Sequence, residues 1–143
     1  MPAAPREIDK LFFMMSKTNA SDLHLKVGSP PIMRVDRQVR RVETQPLSHD
    51  GILALVGPVM TDKARADFER TGNADFAVSV AGVGRFRVNV FRQRGSVSMA
   101  ARRVNYEIPT FEQLHLPPSV QNLVRLEQGL CILAGPTGSG KST

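Results

Sequence analysis

GRFRVNVFRQRGSVSMAARRV, residues Gly84 to Val104, contains two alternating runs separated by a glycine. Phe86, Val88 and Val90 alternate with Arg85, Arg87 and Asn89. After Gly95, Val97, Met99 and Ala101 alternate with Ser98, Ala100 and Arg102. A period of two marks a half-buried strand, and a turn at Gly95 folds the second strand back on the first. Antiparallel pairing with both apolar sets on one face places Arg87 and Arg102 together on the other. The plain alternative is that they are solvated strand arginines, a reading that applies still more readily to Arg85, Arg92, Arg94 and Arg103.

Upstream, Phe76, Val78 and Val80 form a further strand that turns through Gly82 to Gly84. Leu23, Leu25 and Val27 alternate with Asp22, His24 and Lys26 and stop at Gly28-Ser29-Pro30-Pro31. Ile32 to Val35 and Gln38 to Val42 flank Asp36-Arg37, so this part reads as a small antiparallel meander. Ile8, Leu11, Phe12 and Met15 have helical spacing, with an end near Asn19. Ser48 or Asp50 caps a helix carrying Ile52, Leu53, Leu55, Val56, Val59 and Met60, shortened by Gly57-Pro58. Thr61 caps another through Phe68 to Arg70, ended by Gly72. Asn105 to Pro109 breaks the pattern, and the sequence predicts a domain over 1–104, a linker over 105–112 and a second domain from 113. A short helix from Phe111 to Leu114 and an amphipathic helix with Val120, Leu123 and Val124 lead to Leu130 to Ala134. That last run is apolar at every position, as in a parallel strand buried on both faces. The fold class is α+β: antiparallel strands and helices, followed by the first strand of an α/β domain.

The 143 residues suffice for one ordinary domain and little more. A single cysteine, Cys131, makes no internal disulfide and reads as a small buried hydrophobe, and the cytoplasm is the expected compartment. No apolar run approaches the ~20 residues of a membrane-spanning helix, and Met1 to Lys10 lacks the apolar centre of a signal peptide, so any membrane role is peripheral. Nineteen Lys and Arg against 13 Asp and Glu give a net charge of +6, concentrated in Arg34 to Arg41 and Arg85 to Arg103. That charge suits an anionic partner. Few aromatic residues and no Trp argue against a base-stacking platform. His24, His49 and His115 have no ligand at metal-binding spacing, and no Ser-His-Asp or paired-carboxylate arrangement is legible.

Gly135-Pro136-Thr137-Gly138-Ser139-Gly140-Lys141-Ser142 fits G-x-x-x-x-G-K-[ST], the P-loop pattern, directly after the apolar run the motif requires. A chance match in a chain this long has odds on the order of one in a hundred. Glycines let backbone N–H groups approach phosphate oxygens. Lys141 is the candidate catalytic residue, placing its charge on the β- and γ-phosphates, and Ser142 is the candidate Mg²⁺ ligand. Only Thr143 follows, so the expectation is a truncated ATPase domain that does not hydrolyse ATP alone.

Five motifs in order, SDLHL (Ser21 to Leu25), GSPPIMRVD (Gly28 to Asp36), GRFRVNVFRQR (Gly84 to Arg94), IPTFEQL (Ile108 to Leu114) and GPTGSGKST (Gly135 to Thr143), resemble the PilT/PilU-type retraction ATPases of type IV pili, within the type II and type IV secretion ATPases. The resemblance implies a PAS-like N-terminal domain followed by a RecA-like ATPase domain. It also implies a homo-hexamer at the cytoplasmic face of the inner membrane, peripherally associated through a pilus platform protein, using ATP and Mg²⁺ and no nucleic acid. It carries over Gly135 to Thr143 and, across a subunit interface, Arg87 and Arg102 as nucleotide-binding residues. IPTFEQLHLPP leans to the PilU branch and SDLHLKVG to the PilT branch. Asp36-Arg37 stands where the family has Asp-Gly; a positive φ at Arg37 is unfavourable by roughly 1 kcal/mol, which opens the alternative of another turn type. Pro58 interrupts a helix that is cleaner in the family. The rivals are a type II secretion or pilus-assembly ATPase, a basic nucleic-acid-binding module and a passive interaction domain.

Overall fold

A computed structural model describes residues 6–104, 109–136 and 139. The chain divides into two compact units, Met1–Asn105 and Tyr106–Thr143.

The first unit has α1 (Glu7–Lys17), β1 (Asp22–Lys26), β2 (Ile32–Val35), β3 (Gln38–Arg41), α2 (His49–Val56), a 3₁₀ turn (Gly57–Val59), α3 (Asp62–Thr71), β4 (Asn73–Val80), β5 (Gly84–Gln93) and β6 (Ser96–Val104). The strands form one antiparallel sheet in the order β3-β2-β1-β6-β5-β4. It consists of two three-stranded meanders joined where β1 pairs with β6. The alternation expected for Gly84 to Val104 is observed: Phe86, Val88, Val90, Val97, Met99 and Ala101 are all buried.

Three helices cover that apolar face. Ile8, Phe12 and Met15 of α1, Ile52 and Val56 of α2, and Ala64 and Phe68 of α3 complete a single core. The Phe12 ring stacks on Phe86 with centroids 4.4 Å apart. The local signals are used as expected. The Ser48 hydroxyl accepts from the Gly51 N–H at 3.0 Å, and that of Thr61 from the Ala64 N–H at 3.1 Å. Gly72 closes α3 at φ 73°. Gly57-Pro58 does shorten α2, into a 3₁₀ turn, while Leu53, expected on the apolar side, is partly exposed.

The β2–β3 turn keeps the two-residue geometry that Asp-Gly would take, with Asp36 at φ 50° and Arg37 at φ 66°. The alternative turn type is not adopted, because a turn with positive φ at both central residues matches the twist of the strands it joins.

The second unit departs from expectation in three places. Phe111 to Leu114 is a single capped turn and not a helix. Thr110 and Gln113 cap one another, the Thr110 N–H donating to Gln113 Oε1 at 2.9 Å and the Gln113 N–H to Thr110 Oγ1 at 3.2 Å. The Leu116 N–H then closes onto the Phe111 carbonyl at 3.0 Å around His115 at φ 52°, ending the turn before it propagates. The amphipathic helix is present as α4 (Pro118–Leu123), with no buried residue. Leu130 to Ala134 is in no strand, and Leu130, Ile132 and Leu133 are exposed. Cys131 is likewise exposed and not buried. A strand buried on both faces exists only between neighbours that satisfy its backbone groups, and the described residues of this unit include no other strand.

Phe12→Ala removes the ring at the centre of the core and is expected to cost about 3–5 kcal/mol in urea unfolding followed by circular dichroism. A loss below about 1 kcal/mol would show that α1 does not depend on this contact.

Candidate functional site

The sheet has helices on one face, and the other carries its charge. Residues directly opposite on paired strands share a face, and the registers align Arg34, Asp22, Arg102 and Arg87 in one row across β2, β1, β6 and β5. Arg87 and Arg102 thus stand side by side, as the alternation of the two strands requires. Two like charges directly opposite repel. Each has a carboxylate close by: Arg102 Nε donates to Asp22 Oδ1 at 2.8 Å, and Arg87 Nε lies 3.8 Å from Asp75 Oδ1.

Asp22 links the row. Its side chain is only 11% exposed, while those of Arg102 and Arg87 are 74% and 75% exposed. Ser21 Oγ donates to Asp22 Oδ2 at 2.8 Å, and Arg34 Nε sits 3.8 Å from the same oxygen. Burial alone would raise the carboxyl pKa. Hydrogen bonds from Arg102 and Ser21 and the charges of Arg102 and Arg34 outweigh it, holding Asp22 below the usual carboxylate range. Arg102 is fixed through Nε, and among the described residues neither its Nη groups nor those of Arg87 make a hydrogen bond. The pair therefore presents forked donors outward, suited to a carboxylate or phosphate. A shallow depression of about 380 Å³ adjoins it, lined in part by Arg85, Arg87, Asp75 and Val104.

Gly135, Pro136 and Ser139 of the P-loop are described, and the Ser139 N–H closes a turn onto the Pro136 carbonyl at 3.2 Å. Thr137, Gly138, Gly140, Lys141, Ser142 and Thr143 lie outside the described residues, as does 105–108 of the expected linker. Among the described residues no three His, Cys, Asp or Glu side chains gather as a metal cage would require, and no helix is long and apolar enough to cross a membrane.

Two roles were not legible in the sequence. Asp22 reads there as one polar residue of an alternating strand. Its burial follows from the facing of β1 with both β2 and β6, which no local pattern encodes. Arg92 reads as solvated, yet its guanidinium lies 5.2 Å from the Phe68 ring centroid. The available signal was parity, because Arg92 falls in step with Phe86, Val88 and Val90. Arg103 also has a partner, donating to Asn19 Oδ1 at 3.0 Å.

The chain is 42% identical over 137 residues to the type IV pilus retraction ATPase PilT of Pseudomonas aeruginosa, a match covering 96% of this chain and 40% of that protein. It is also 42% identical over 137 residues to the type IV pilus ATPase PilU of the same organism, covering 96% of this chain and 36% of that protein. A crystal structure of the pilus retraction motor PilT with bound ADP matches with a TM-score of 0.83 and 40% identity, over 98% of this chain and 41% of that one. No family model matches. The chain spans about two fifths of the length of the curated relatives it matches. The resemblance read from five ordered motifs is thereby borne out.

Because Asp22 titrates lower in the folded state than the unfolded value of about 3.9, its contribution to stability is complete above that value. It is lost as pH falls through the folded pKa. Asp22→Asn is expected to cost about 1–2 kcal/mol at neutral pH. The difference from wild type in pH-dependent urea unfolding should stay flat down to about pH 4 and shrink below it. A difference independent of pH down to acid unfolding would contradict the ion pair.

Proposed function

We propose that this PilT/PilU-type chain is the N-terminal part of an ATP-driven motor that retracts type IV pili, as in twitching motility. The observation that carries the reading is its match, over 98% of its length, to a retraction motor that holds ADP. The P-loop sequence points to the same ligand chemistry.

In this reading residues 1–104 are a PAS-like domain, 105–112 a linker and 113–143 the start of a RecA-like ATPase domain. An antiparallel sheet with helices on one face supports the first assignment. Gly135, Pro136, Thr137, Gly138, Ser139, Gly140 and Thr143 surround the phosphates, and Lys141 places its ammonium on the β- and γ-oxygens. The Ser142 hydroxyl is a hard oxygen donor of the kind Mg²⁺ shares with phosphate oxygens, and the ion when bound neutralises phosphate charge. Arg87 and Arg102, outward and with free forks, would reach the triphosphate held by an adjacent subunit of a homo-hexamer. The ring would work at the cytoplasmic face of the inner membrane against a platform protein. A type II secretion or pilus-assembly ATPase is the second reading within the class. A nucleic-acid module would instead show steeply salt-dependent binding to DNA or RNA.

The 143 residues alone are expected to release no phosphate from ATP, since Leu130 to Ala134 lies exposed and outside any sheet. In the full-length protein Lys141→Ala should abolish turnover. Arg87→Ala and Arg102→Ala, with the ring still assembled by size-exclusion chromatography, should each lower it by about 10³ or more. Arg87→Lys should rescue only in part, because an ammonium lacks the planar fork, and Arg94→Ala should change little. Equal turnover for the alanine variants at 87, 94 and 102 would return the arginines to the surface-charge reading.

A further inference from the structure

The nucleotide reading leaves the other basic segment, Arg34 to Arg41, unused. It forms the β2–β3 hairpin, with β3 at the sheet edge and all four β3 residues exposed. Arg34 is engaged with Asp22, but the side chains of Arg37, Arg40 and Arg41 make no ion pair or hydrogen bond among the described residues. Arg41 faces the same side as Arg34, Arg40 the other, and Arg37 sits at the tip between them. Val39 lies among them, 65% exposed.

Protecting the edge from pairing with other strands would account for charge on β3 itself. It does not account for Arg37. That residue lies in the turn, outside the ladder, and holds φ at 66°. A glycine there would relieve the backbone and leave the hairpin intact, since no Cβ contact is needed in a two-residue turn. Arg94 holds the same kind of backbone at φ 51°, so the conformation alone assigns Arg37 no role; what distinguishes the β2–β3 hairpin is that Arg37 stands there with two further exposed arginines.

We propose that the β2–β3 hairpin docks on an anionic lipid surface through Arg37, Arg40 and Arg41, with Val39 entering the headgroup layer. Three unpaired guanidinium groups on one hairpin attract an anionic partner. A hairpin at the sheet edge, exposed along β3 and at its tip, suits a broad surface better than a groove-bound peptide. The single apolar side chain among the arginines suits the boundary between headgroups and acyl chains. The hairpin has no aromatic residue on which a nucleic-acid base could stack. This inference does not depend on the nucleotide reading.

The test is sedimentation of the full chain with vesicles of phosphatidylglycerol and phosphatidylcholine, against pure phosphatidylcholine, at low and high salt. Wild type should bind the anionic vesicles only, and salt should weaken binding. Arg37→Gly should raise the thermal midpoint by ~4 °C while weakening vesicle binding about fivefold. The triple variant Arg37→Gly, Arg40→Ser, Arg41→Ser should lose on the order of a hundredfold. Arg94→Gly is the matched control: Arg94 also sits in a hairpin turn, at φ 51°, so its replacement removes the same charge from the same kind of backbone. It should stabilise similarly and leave vesicle binding near wild type. Equal losses for Arg37→Gly and Arg94→Gly would assign the attraction to net charge and overturn the proposal. So would wild type that ignores anionic vesicles, or one that binds a single-stranded oligonucleotide in their place.

Discussion

One buried carboxylate holds the seam of this sheet. The two meanders are continuous within themselves, each closed by short turns, but they meet only through β1 and β6. Asp22 sits at that junction, accepting from Arg102, which is 80 residues away in sequence, and facing Arg34 on its other side. A slip of one residue along this seam would turn Leu23 and Leu25 outward and carry Asp22 into the core. Hydrophobic burial alone penalises the slip, and the charge pair penalises it again, since a buried carboxylate without its guanidinium is more costly than the pair. The same bond therefore sets the register and holds Arg102 beside Arg87.

A sheet covered by helices on one side only has a second side to use. Here that side is dominated by positive charge and is partly neutralised by Asp22 and Asp75. Carboxylates behind the arginines do not quench them. Asp22 fixes the Arg102 guanidinium at Nε by a hydrogen bond, and Asp75 stands 3.8 Å from Nε of Arg87, so among the described residues the Nη groups of both keep their capacity to bind. The proposed contact with a triphosphate uses that capacity, and a ring would bring such a ligand to a face that one chain leaves open.

How much of this was legible in the sequence depended on the distance over which each signal acts. The pairing of Arg87 with Arg102 followed from alternation across one tight turn, because Gly95 fixes the hairpin and parity does the rest. Ser48, Thr61 and Gly72 were legible for the same reason, each acting within one helical turn. Asp22 was not, since its burial depends on two strands brought to it from elsewhere in the chain. Leu130 to Ala134 failed differently: its composition describes a strand within a sheet, while the described residues of its unit offer no partner strand, so the apolar side chains remain exposed. At Asp36-Arg37 local propensity argued against positive φ, and the demands of strand twist prevailed. In the P-loop the sequence motif carries the reading, with five of its eight residues outside the described set.

The proposed contact between the open face of the sheet and a nucleotide runs through Arg87 and Arg102. Arginine-selective modification with phenylglyoxal tests it directly, carried out on the full-length protein with and without a non-hydrolysable ATP analogue and Mg²⁺ and read at each residue by mass spectrometry. Both side chains are about three-quarters exposed and should react freely in the apo protein. The nucleotide should protect Arg87 and Arg102 while Arg94 continues to react. Unchanged reactivity at positions 87 and 102 under saturating nucleotide would contradict it.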